Sequence, residues 1–170
     1  MFNMKFLSRR YPVHGVVLLM VLLAPSMLLP GRGQMPFGAP ITPQAQRSAL
    51  GAVRSQVAWV QSATRVASNV GPQGFGNVWQ AFEGLRQAYG AFKGTLTPNQ
   101  LAYGANELAE LDAGLDIIQE AFANYQQDLA AGQAFGPTMH NLCRVVREGS
   151  ALWLQELNKT GARLHVGWGG

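Results

Sequence analysis

Apolar residues recur at alternating steps of three and four along most of this chain, in four separate runs. The first is Leu50, Val53, Val57, Val60, Thr64 and Ala67, and the second is Phe75, Val78, Phe82, Leu85, Tyr89 and Phe92. The third is Leu101, Gly104, Leu108, Leu111, Leu115, Ile118, Phe122, Tyr125 and Leu129, and the fourth Met139, Leu142, Val146, Gly149 and Trp153. That period places each run on one face of an α-helix. Strand-like alternation occurs only at Leu164-His165-Val166-Gly167-Trp168.

The punctuation between runs agrees with four helices. Thr42-Pro43 opens the first, as N-cap and first helical residue, and Asn69-Val70-Gly71-Pro72 closes it. Asn77 with Gln80 reads as a capping box for a second helix over Asn77 to Lys93, which Gly94 stops. Gly84 and Gly90 inside that helix each cost about 1 kcal/mol against Ala, and predict close approach of a neighbouring backbone. Thr97 and Gln100 cap the third helix, expected to run unbroken to Gly132 as a rod about 50 Å long. Gly136-Pro137 opens the fourth and Gly161 ends it. Short connections make sequence neighbours antiparallel, so the expected fold is an all-α, antiparallel up-down bundle of about four helices.

The first 33 residues read differently. Lys5, Arg9 and Arg10 precede an apolar run from Val13 to Leu23, then Ala24-Pro25-Ser26 and Gly31-Arg32-Gly33. A basic start, a short apolar run and small residues after it describe a secretory signal peptide. Cleavage is expected after Ser26 or Gly33, or else the uncharged stretch Val13 to Pro30 stays as an anchor. Pro12 and Val13 follow Arg9-Arg10 where a twin-arginine signal wants Phe and Leu, and no cysteine lies near the cleavage region to make a lipoprotein. The organisation is therefore a leader (1–33), an extended linker (34–41), the bundle (42–161) and a flexible C-terminal tail (162–170). The location it implies is periplasmic or extracellular, with the N-terminal segment as a potential tether.

Removing the leader changes the charge argument. The chain has 13 Lys and Arg against 9 Asp and Glu, and Lys5, Arg9, Arg10 and Arg32 belong to the leader. What remains is neutral, so the basic whole-chain balance reflects an export signal and nucleic acid is not an expected partner. Cys143 is the single cysteine, so an exported form has no internal disulfide and depends on packing.

Within the bundle, charge is segregated by helix. The first helix carries Arg47, Arg54 and Arg65 and no acid, all three on one face. The third carries Glu107, Glu110, Asp112, Asp116, Glu120 and Asp128 and no base. Asp112, Asp116 and Glu120 step by four, and such like-charge neighbours repel by a few tenths of a kcal/mol per pair unless something offsets them. Internal pairing with the arginine stripe, helped by Arg86 and Lys93, is the plain expectation. A docking face for a basic partner and a divalent-cation site are the sharper ones.

Three tryptophans are further candidates for partner contact. Trp59 and Trp79 lie off the main seams of their helices, covering a second neighbour or anchoring a partner. Trp168 sits in a glycine-rich tail, suited to a disordered end or to addition at another protein's sheet edge.

Chemistry is harder to find. Met139, His140 and Cys143 are soft ligands within one turn, but no closed metal site follows from them and core packing is the simpler expectation. There is no Cys-x-x-Cys-His for a c-type haem and no Glu-x-x-His for a di-iron bundle. Gly71-Pro72-Gln73-Gly74-Phe75-Gly76 lacks the Lys-Ser/Thr of a phosphate loop and reads as a helix connection. No enzyme activity and no cofactor are expected.

Leu96-Thr97-Pro98-Asn99-Gln100 is similar to the Leu-Thr-x-x-Gln motif of small periplasmic helical chaperones and metal-stress sensors. It covers five residues and occurs once here, where those proteins repeat it, and their highly charged surface is absent. In length, leader and Ala/Gln-rich helices the chain also resembles minor subunits of conjugation-type secretion machines. Both resemblances imply an exported helical protein acting by contact. The leading expectation is an interaction or accessory subunit of an envelope assembly, through a protein partner or self-association, with membrane contact only through an uncleaved leader. The alternative is a small carrier or chaperone, its apolar cleft lined by Phe82, Tyr89, Phe122 and Tyr125.

Overall fold

The structure, a computed structural model, describes residues 41–133 and 136–166. The leader, the linker up to residue 40 and the tail from 167, Trp168 included, lie outside them. The described residues are mostly helical and contain no strand. Four long helices carry the fold: α1 (Pro43–Val70), α2 (Phe75–Lys93), α4 (Ala105–Ala130) and α5 (Gly136–Arg163), with a short α3 (Pro98–Tyr103) before α4.

The first helix follows the sequence closely. The Thr42 side chain accepts from the Ala45 N–H, Pro43 stands in the first turn, and the seam Leu50, Val53, Val57, Val60, Ala63, Thr64 and Ala67 is buried. A 3-10 turn (Gly71–Gly74) leads directly into α2, so Gly74 stands at the N-cap and Asn77 does not cap. The turn passes close over the end of α1. A Cβ on Gly74 would lie 2.6 Å from the Ala67 Cα, so only glycine fits there. The expected close backbone approach along α2 is otherwise absent. Gly84 faces the Gln56 side chain, and a Cβ on Gly90 would meet nothing within 4 Å.

The third helix is not one rod. Thr97 and Gln100 do form the capping box, but α3 ends at Tyr103, and Gly104 separates it from α4. The reason is tertiary. The Leu164 side chain is seated where a Gly104 Cβ would be, 2.8 Å from that position. Gly104 leaves the helical conformation there, with φ −97° and ψ 12°, while its N–H still donates to the Gln100 carbonyl and the Leu108 N–H to the Gly104 carbonyl.

The last helix runs past Gly161, which packs against Leu50. It closes with the Val166 N–H donating to the Gly161 carbonyl and the His165 N–H to the Ala162 carbonyl. His165 adopts a φ of 51°, the left-handed residue this type of stop requires. Residues 162–166, expected to belong to the tail, thus form the end of this helix and its closing turn, and Leu164 and Val166 are buried.

Backbones pack closely between α1 and α2, α1 and α5, and α4 and α5. Between α2 and α4, large side chains bridge the gap. Phe82 stacks on Phe122 with centroids 5.1 Å apart, Phe75 stacks on Tyr125 at 5.2 Å, and Trp79 meets Phe122 edge-on at 5.1 Å. Ring pairs of this kind add about 0.5–1.5 kcal/mol each beyond burial. Farther along, Trp153 meets Tyr89 edge-on and donates its indole N–H to the Leu111 carbonyl at 2.8 Å.

Candidate functional site

The core seams turn every helix's apolar side inward, so the exposed faces carry what remains for function. On α1 a second seam runs opposite the first. Ala52, Ser55, Trp59, Ser62, Val66 and Val70 are all exposed, with Trp59 at 57%, Val66 at 55% and Val70 at 50%. The seam was legible as another three-four stepping, hidden because its members are mostly small and polar. Arg54 and Arg65 border the same outer face, about 100–160° around the helix from its larger apolar side chains. The Arg54 guanidinium donates twice to the neutral Asn158 carbonyl of α5, at 3.0 and 2.8 Å, and meets no carboxylate there.

The acidic helix presents a matching face on the opposite corner of the bundle. Glu110, Asp116 and Glu120 are exposed and make no ion pair among the described residues. Asp112 is different: Lys93 of α2 reaches it at 2.6 Å while lying over the Tyr89 ring. Glu107 pairs with Arg163 of α5, whose guanidinium also lies over the Tyr103 ring. The expected pairing of Asp112, Asp116 and Glu120 with the α1 arginines is therefore corrected, while Lys93 does pair with Asp112 as expected. α1 packs beside α2 and α5, not beside α4, and among the described residues the α4 acids with ion-pair partners are Asp112, with Lys93 of α2, and Glu107, with Arg163 of α5.

The other candidates separate. Trp79 is half-buried in the ring ladder beside Phe82 and Phe122. Met139 and Cys143 are fully buried while His140 is exposed, so the three soft ligands do not converge. No group of three or more His, Cys, Asp or Glu suited to a metal occurs among the described residues. Burial pushes the Cys143 thiol up, against an interaction with Ser68 and the charge of Arg147. Burial, with the Cys143 and Asp128 charges, also pushes up the Tyr125 phenol, whose hydroxyl has no hydrogen-bond partner. Phe82, Tyr89, Phe122 and Tyr125 are buried against other rings, filling the space in which a cleft was expected.

The Leu-Thr-Pro-Asn-Gln segment has a structural task. Gln100 Oε1 accepts from the Thr97 N–H at 2.9 Å and from the buried Gln46 amide at 2.8 Å, while its Nε2 donates to the Leu164 carbonyl at 2.9 Å. Gln46 also donates to the Thr95 carbonyl at 2.9 Å. One side chain thus ties α1, the α2–α3 connection, α3 and the C-terminal turn.

No protein-family model, curated protein or solved structure matches the chain. Among the described residues no helix is long and apolar enough to cross a membrane.

Proposed function

We propose that this chain is an exported, non-enzymatic helical protein that serves as an interaction or accessory subunit of a cell-envelope assembly. The observation that carries the reading is the outer face of α1, where Trp59, Val66 and Val70 are exposed together, with Arg54 and Arg65 at its border. Large apolar side chains grouped on one face of a well-packed helix mark a contact surface. Export rests on the basic start and the apolar run from Val13 to Leu23.

The scaffold in this reading is an up-down antiparallel bundle. Its support is the order of contacts, with Gln46 beside Thr95, Gln56 beside Gly84 and Ala67 beside Gly74. Arg54 beside Asn158 and Gly114 beside Trp153 continue the pattern on α5. A ligand carrier is the weaker reading, because the rings that would line its cleft already pack on one another.

Light scattering coupled to gel filtration, on protein extracted gently from its native envelope, tests the proposal. A discrete mass well above one chain is expected. A monomer carrying a bound small molecule would overturn it in favour of the carrier.

A further inference from the structure

We infer that a second copy of this chain is a partner, the outer face of α1 on one copy docking against the outer face of α4 on the next. The inference rests on the contact reading above and names the occupant of that surface. Its basis is charge complementarity between two faces that cannot meet within one molecule.

The outer side of α1 is basic and free of acid, and the outer side of α4 is acidic and free of base. Among the described residues Arg54 bonds to the neutral Asn158 carbonyl and makes no ion pair, and Arg65 makes no ion pair either. Glu110, Asp116 and Glu120 are likewise unpaired across the molecule from them. The spans agree: 11 residues separate Arg54 from Arg65 and 10 separate Glu110 from Glu120, about 16 and 15 Å along their helices. Small residues let the backbones approach, with Ser55, Ala58 and Ser62 on α1 and Ala109, Ala113 and Ala123 on α4. Trp59, Val66 and Val70 lie farther around α1, at the border of the basic strip, and are partly covered on docking.

Magnitude and symmetry set the kind of association. A 28-residue helix is about 42 Å long and offers a strip about 10 Å wide, or roughly 400 Å² per partner, half of a standard stable interface. The contact is therefore weak and concentration-dependent. Because α1 and α4 occupy opposite corners, each docking leaves one free face of each kind. The contact is heterologous and extends into open chains unless a rotation closes it.

Sedimentation velocity on the chain, as recovered from its producing cells, tests this at low and high salt. Wild type is expected to form a concentration-dependent ladder of oligomers at low salt that dissociates at high salt, since exposed charges are screened. The variants Arg54→Glu/Arg65→Glu and Asp116→Lys/Glu120→Lys should each lose self-association by about tenfold or more, about 1.4 kcal/mol. An equimolar mixture of the two should regain it, because both the original and the reversed contact are then available. Circular dichroism verifies folding, and Arg54→Gln/Arg65→Gln serves as the milder variant, with the same loss expected. A monomeric wild type at low salt, or reversed variants that associate like wild type, overturns the inference. If the native extract still holds the chain in a larger assembly, the subunit reading survives with a different partner. If that extract is monomeric, the subunit reading itself fails.

Discussion

The Gln46 side-chain amide donates to the Gln100 side-chain carbonyl at 2.8 Å, joining residues 54 apart in sequence. This pair, with the Leu164 carbonyl on the far side of Gln100, closes one end of the bundle. Buried polar groups left without partners cost about 1–3 kcal/mol each. Gln100→Ala takes one acceptor from the Gln46 amide, which keeps the Thr95 carbonyl, and removes the Gln100 partner of the Leu164 carbonyl, so a loss of about 1–3 kcal/mol is expected in urea unfolding. Gln44→Ala, at an exposed position nearby, should cost less than about 0.5 kcal/mol. Equal effects from the two would remove the clamp from the account.

Two glycines of the α1–α2 region should respond to alanine with opposite signs. Gly90 lies inside α2 with open space where a Cβ would go, so Gly90→Ala should stabilise by up to about 1 kcal/mol. A Cβ at Gly74 runs into the Ala67 backbone, which cannot yield as a side chain can. Gly74→Ala is expected to destabilise by about 1–3 kcal/mol. Thermal melts of the two variants check both signs.

These glycines also mark where sequence pattern stops. Most of the four core seams was readable from spacing, and residues such as Val53, Phe82, Leu115 and Val146 are buried as their period requires, but Leu101 and Leu129 at the two ends of the third run are exposed. The break at Gly104 was not readable, because it depends on Leu164, 60 residues away, seated against that position. The ordered end of α5 was hidden for a similar reason: His165 takes the left-handed turn usually given to glycine. The charge stripes were visible, but their pairing was not. Which helices stand side by side decides whether Arg54 meets an acid, and it meets Asn158.

Thiol chemistry gives an independent test of packing. Cys143 is fully buried and its thiol is pushed up by that burial, so a disulfide reagent near pH 8 should modify it only on the timescale of unfolding. Full reaction within minutes in denaturant, and little without it, is the expected contrast. Rapid labelling of the native protein would mean that the α5 seam opens readily.

The same burial predicts the direction of the alkaline response. Cys143, Tyr125 and Tyr89 are all pushed up in the folded state, chiefly by desolvation. The folded chain then keeps protons that the unfolded chain releases between about pH 8.5 and 10. Stability should be level with respect to these groups below that window and fall as the pH rises through and above it. Melting temperatures measured across the range check the sign, and an increase there would contradict it.

In the living cell the outer face of α1 is proposed to touch another protein. A photo-crosslinking amino acid in place of Trp59, with one in place of the exposed Gln155 on α5 as control, measures that directly. The expected result is a discrete adduct from position 59 and none from position 155, heavier than the chain by one partner. An absence of adduct from position 59, or equal adducts from both, would contradict a contact surface on α1.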